Sequence, residues 1–183
     1  MGVTFSNTVT QAYDLLAIYE PTTGEKSIIF TSIPQTHKHL IVQCSTKRNA
    51  PGAGARGVTI RLNGATSGYN YSALEYYPAS GGPITNQVTG YGATSVTAAE
   101  GGVAYDPNTK GSFYTFTIND YTNTNFFRNM MSYKVHSQVG SPSLSHTGNL
   151  LISTSALTGL SILEPNEGFI TGDNVRIYGV KEA

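Results

Sequence analysis

Apolar side chains recur at alternate positions through "SFYTFTIN" (residues 112–119), with Tyr114, Phe116 and Ile118 on one side and Phe113, Thr115 and Thr117 on the other. A pleated backbone sends successive side chains to opposite faces, so this period of two predicts a half-buried strand. Similar short runs, rich in Val, Ile, Thr and Tyr, occupy residues 12–19, 26–33, 39–48, 58–63, 72–77 and 87–96. They continue at 130–139, 148–155, 157–165 and 174–180. Gly, Pro, Asn and Asp separate the runs, and "GGPITNQ" (81–87) reads as a break between two of them. "TNTNFFRNMM" (122–131) and "TSVTAAEGG" (94–102) could each make one helical turn, but neither sustains an apolar stripe at helical spacing. Roughly ten evenly spaced short strands predict an all-β antiparallel sandwich, jelly-roll-like by preference, in a single domain spanning 1–183.

Composition narrows the function. Only 12% of residues are charged, and the eleven basic and eleven acidic side chains cancel. A nucleic-acid partner would call for a basic surplus to displace counterions from phosphate, so none is expected. Cys44 is the single cysteine, which excludes an intrachain disulfide and a cysteine-based zinc cluster. Within "HLIVQCSTKR" it reads as a buried small hydrophobe. The N-terminus lacks the basic flank and apolar core of a signal peptide, and no apolar run approaches a membrane span. The "MGVTFS" match to a myristoylation pattern is short enough to arise by chance.

Signs of catalysis or cofactor chemistry are weak. "GAGARG" (52–57) fits G-x-G-x-x-G, but it follows Pro51 and precedes the strand-like "VTIRL". A dinucleotide site needs those glycines between a strand and a helix, so a loop is expected and no cofactor. His37 and His39 could face one way on a strand, yet zinc needs at least a third protein ligand that the sequence does not nominate. Most carboxylates stand beside turn residues, where Asp bonds its own backbone. Glu75 lies among aromatics but has no nominated partner for paired-acid chemistry, and no G-x-S-x-G elbow is present. No enzyme, catalytic residue or metal site is expected.

The richest binding signal lies in "RLNGATSGYNYSALEYY" (61–77). Asn63-Gly64 is a strong tight-turn pair. After it, Tyr69, Asn70, Tyr71, Glu75, Tyr76 and Tyr77 form a candidate ligand- or partner-binding set. Tyrosine offers a large, stiff, amphipathic surface, and Asn70, Ser67 and Ser72 add adaptable hydrogen bonds. The alternative is that alternate tyrosines pack on the sheet, with only their hydroxyls reaching water.

Four segments in order, "SIIFTSIPQTHKHLIV", "VTIRLNGATSGYNYSALEYY", "FTINDYTNTNFFRNMMSY" and "SALTGLSILEPNEGFITGDNVRIYGVK", resemble small β-rich virion proteins of tailed bacteriophages and prophages. Those proteins occur alone or as terminal modules of longer fibre proteins. The resemblance runs through most of residues 26–181, while 78–110 match nothing and the first 25 residues only loosely. It implies a non-enzymatic structural role in the virion; the compact length, with no evident coiled coil or repeat, favours a capsid decoration or cement protein contacting the major capsid protein. A receptor-binding or carbohydrate-binding tip of a tail fibre or baseplate, touching surface glycan, is the alternative. A homo-oligomer, specifically a trimer, and an N-terminal segment 1–25 serving as an arm to neighbours are further expectations.

Overall fold

The computed structural model describes residues 12–22, 24–47, 58–79, 82–97, 111–137, 143–164 and 168–181. The chain is all-β. Among the described residues there are twelve strands and no helix. They are β1 (Tyr13–Tyr19), β2 (Ser27–Phe30), β3 (His39–Thr46), β4 (Thr59–Leu62), β5 (Tyr69–Ala79) and β6 (Gly82–Ala93). β7 (Val96–Thr97), β8 (Gly111–Ile118), β9 (Arg128–Ser137), β10 (Ser143–Leu151), β11 (Leu160–Leu163) and β12 (Asn174–Val180) follow. An eight-stranded sheet has the order β1-β12-β3-β8-β9-β10-β5-β6, and a four-stranded sheet the order β2-β11-β4-β7. Every strand pairing is antiparallel.

The two sheets form a sandwich because the period-two patterns give each one an apolar face. Val42, Cys44, Tyr114, Phe116, Ile118, Val175 and Ile177 come from the large sheet. Ile28, Ile60, Leu62, Leu160 and Ile162 answer from the small one. Cys44 is fully buried in this layer, and burial pushes its thiol pKa up. A jelly roll shares eight strands between two Greek keys. The division found here is eight and four, a two-sheet sandwich with one sheet much broader than the other.

Three local readings differ from the sequence expectation. "GGPITNQ" does not break the chain but lies largely in β6, with Pro83 opposite Pro78 in the β5–β6 hairpin. β6 is an edge strand, and β5 has outrun β10 at Pro78, because the last β5–β10 pair is Tyr76 with Leu144. Neither missing N–H therefore costs an inner ladder bond. β10 begins at Ser143 rather than 148; its inward residues Ser145, Thr147 and Asn149 are polar, which masks the alternation. "TNTNFFRNMM" makes no helical turn, since Arg128 already opens β9.

Residues 13–19 of the expected N-terminal arm are strand β1, paired with β12 of the same chain. Residues 1–11 and the "GAGARG" stretch at 52–57 lie outside the described residues.

The loops at one end of the sandwich are fastened by side chains. Asn63 and Gly64 adopt φ of 50° and 69°, making the expected tight turn, closed by Ala65 N–H donating to Leu62 O at 3.0 Å. The Asn63 carboxamide reaches the 156–159 loop, accepting from Thr158 N (2.9 Å) and Gly159 N (3.1 Å) and donating to Ala156 O (2.7 Å). Arg128 is buried and forks to three carbonyls: Asp120 O at 2.8 Å, Ser155 O at 2.9 Å and Thr154 O at 3.1 Å. The buried Tyr121 donates its hydroxyl to Pro34 O.

Candidate binding surface

Alternation along β5 separates the tyrosine-rich residues. Tyr69, Tyr71 and Glu75 share the inner face; Asn70, Leu74 and Tyr76 share the outer one. Tyr69 is fully buried, and its hydroxyl accepts the Leu62 N–H at 2.7 Å. It is a core residue that ties the two sheets together. Tyr71 is half-buried, with its ring lying across Gly90 on β6, where a Cβ would overlap it. Glu75 is also buried, in an inner row that runs Glu75, Ser145, Lys134 across β5, β10 and β9. Tyr69 and Glu75 therefore both lie beneath the surface of the sheet. Tyr76 is exposed on the outer face, Asn70 stands half-exposed there, and the Tyr77 side chain lies outside what is described.

The outer face of the large sheet carries apolar side chains in cross-strand rows. One row is Tyr76, Leu144, Val135 and Phe113, running from β5 through β10 and β9 to β8. The next begins Leu74, His146, Tyr133, where the His146 and Tyr133 rings meet edge-on, 5.2 Å apart at 87°. Leu74 is 53% exposed and Met131, on the following row, 51%. Leu15 and Ile18 on β1 are equally open near the opposite sheet edge. Monomeric domains rarely expose large contiguous apolar patches, which makes this face the candidate binding surface. The sequence pattern did not nominate this surface, because period two identifies two faces without saying which will be covered.

A shallow groove interrupts this face where β10 carries Gly148. Its volume is about 460 Å³, and Asn70, Ser72, Thr89, Tyr91 and Leu150 line it. Ser72 stands opposite both Gly148 and Thr89, which sets β5, β10 and β6 side by side at the groove. The register shifts between Tyr69 and Tyr71, and there Asn70 Oδ1 accepts the Gly92 N–H at 3.0 Å. Tyr91 projects from this irregular edge with 83% of its surface exposed. It falls within the expected 87–96 strand, outside the tyrosine-rich 69–77 segment, and only the β5–β6 pairing brings the two segments together.

A polar cleft of about 650 Å³ opens at the clamped end, between residues 35–38 and 120–125. His37 and His39 do not converge within it. His37 Nε2 donates to Asp14 Oδ2 at 2.9 Å, whereas His39 Nδ1 accepts the Asp120 N–H at 3.2 Å. Asp14 also binds Lys181 Nζ at 2.9 Å. The Lys181 hydrogen bond, followed by the one from His37, holds the Asp14 carboxyl below its usual pKa. No group of three or more potential metal ligands gathers among the described residues. No helix among them is long and apolar enough to cross a membrane.

No protein-family model matches the chain, and no curated protein matches it. Among solved structures, one of the infectious bursal disease virus Gx strain aligns over 90% of this chain and 39% of that one. The identity is 13% and the TM-score 0.19, so the functional reading rests on the geometry above.

Proposed function

We propose that this chain is a non-enzymatic structural component of a bacteriophage particle, a decoration or cement protein seated on the capsid surface. The carrying observation is the outer face of the eight-stranded sheet, where Leu74, Tyr76, Phe113, Met131 and Leu144 lie exposed on adjacent strands. Such a face gains stability only when covered, and a broad pleated surface suits the flank of another virion protein. The ordered resemblance of residues 26–181 to phage virion proteins supports the setting. Homotrimerisation at threefold positions of the lattice is part of the same reading.

Immunogold electron microscopy of intact particles tests it directly, using antibody to this protein. Gold over the head is expected. Gold confined to the tail would overturn the capsid assignment and favour a receptor-binding tip.

A further inference from the structure

Gly148 sits in mid-strand, flanked by Ser72 of β5 and Met131 of β9. Glycine weakens a strand through its backbone freedom and lack of packing surface, so its presence there needs a reason. Conformation is not the reason, because Gly148 is absent from the positive-φ residues. Crowding is not the reason either: a Cβ at 148 would meet nothing within 4 Å. What the glycine leaves is space, a notch in an otherwise side-chain-covered face.

The notch has chemically specific walls. Tyr91 offers an exposed aromatic ring, and Leu150 adds apolar surface. Ser72 and Thr89 supply hydroxyls that both donate and accept. Asn70 is oriented by its Oδ1 bond to Gly92 N, which directs its two amide N–H donors away from that contact. Among the described residues, no Asp, Glu, Lys or Arg lines the groove. Its volume of about 460 Å³ lies in the usual range of small-ligand sites, about 300–1,000 Å³. A pyranose ring has matching chemistry: an apolar C–H face for the tyrosine and a rim of hydroxyls for Asn, Ser and Thr.

We infer that the Gly148 groove is a binding site for a neutral saccharide unit. Tyr91 stacks on the sugar's apolar face; Asn70, Ser72 and Thr89 bond its hydroxyls; Gly148 admits the ring. The uncharged lining selects neutral over anionic sugars, since a carboxylate would lose hydration there without gaining a cation. The groove lies on the same outer face, with Gly148 paired to Met131, but two rows away from Tyr76, Leu144, Val135 and Phe113, toward the other ends of β5 and β10.

The test is a titration of the isotopically labelled full-length chain by two-dimensional NMR, using lactose, maltose, mannobiose and chitobiose, with sialyllactose as the anionic control. At least one neutral disaccharide is expected to shift the Ser72, Tyr91 and Gly148 amides. Tyr91→Ala and Gly148→Val should each weaken that binding by roughly tenfold or more, and Gly148→Ala less than Gly148→Val. Tyr91 is too exposed for its truncation to threaten folding, so that variant stays informative even if Gly148→Val is poorly behaved. The inference is overturned if no neutral sugar moves these amides, if sialyllactose alone does, or if both variants bind as the wild type does. Because the titration uses the isolated chain, its failure leaves the particle location untouched, and the reverse holds for the immunogold result.

Discussion

The hydroxyl of Tyr69 accepts the backbone N–H of Leu62 at 2.7 Å, joining a strand of the broad sheet to a strand of the narrow one. Both residues are buried, so this bond satisfies an amide that water does not reach. Tyr69→Phe keeps the ring and strands the amide. The expected cost is about 1–3 kcal/mol in urea unfolding, with saccharide binding unchanged. A loss of sugar affinity at full stability would instead make Tyr69 a contact residue.

Burial raises the phenol pKa values of Tyr69 and Tyr121 above the ordinary value of 10.0. A group whose folded pKa is raised contributes stability that is complete below the unfolded value and is lost as pH climbs through the folded one. Melting temperature should therefore fall above about pH 10. The double Phe variant should start lower and show a flatter alkaline limb. Parallel limbs for the two proteins would show that these phenols do not govern it.

Asp14 has the opposite sign. Its folded pKa is depressed by Lys181 and His37 below the ordinary value of 3.8. Its contribution is present above that value and lost as pH falls through the folded one. Asp14→Asn should thus be less stable than the wild type at neutral pH, with the difference closing in acid. A difference that persists unchanged at about pH 2, below the ordinary carboxylate range, would assign the effect to packing rather than charge.

Arg128 holds Asp120 O, Thr154 O and Ser155 O with one planar group. A lysine cannot reproduce that fork. Arg128→Lys is expected to cost about 2 kcal/mol or more, and to speed hydrogen exchange of the Leu157 amide, which donates to Tyr121 O in the same loop contact. Exchange at wild-type rates would mean that the loops hold without the clamp.

Leu74→Glu and Leu144→Glu place charge on the exposed outer face. Both side chains are substantially open to solvent, so stability should change by no more than about 0.5 kcal/mol. Incorporation into particles, measured as copies per virion, should fall sharply for both. Full incorporation of the two variants would remove this face as the docking surface.

Much of the fold was legible in the chain because a strand's two faces are written at alternate positions. β12 starts at Asn174 and ends at Val180, matching its sequence run, and β8 shows the predicted division of Tyr114, Phe116 and Ile118 from Phe113, Thr115 and Thr117. The Asn63-Gly64 turn was equally readable, since few dipeptides accept left-handed backbone twice in succession. The readings that slipped fell where polar residues face inward, as in β10, or where Pro lies beyond its neighbouring strand, as at Pro78.

The binding residues were less legible, for a physical reason. Tyr69 and Tyr76 look alike in sequence, yet one is in the core and the other on the surface. Composition signalled a tyrosine-rich segment, but phase within the strand assigned each ring its role. The sequence by itself determined most of the strands, their two faces and the tight turn, because these depend on near neighbours and the pleat. Tertiary structure alone decided which strands pair, which face stays open, and that Tyr91 and Asn70 line one groove beside Gly148. Those contacts join residues far apart in the chain, and local alternation carries no information about them.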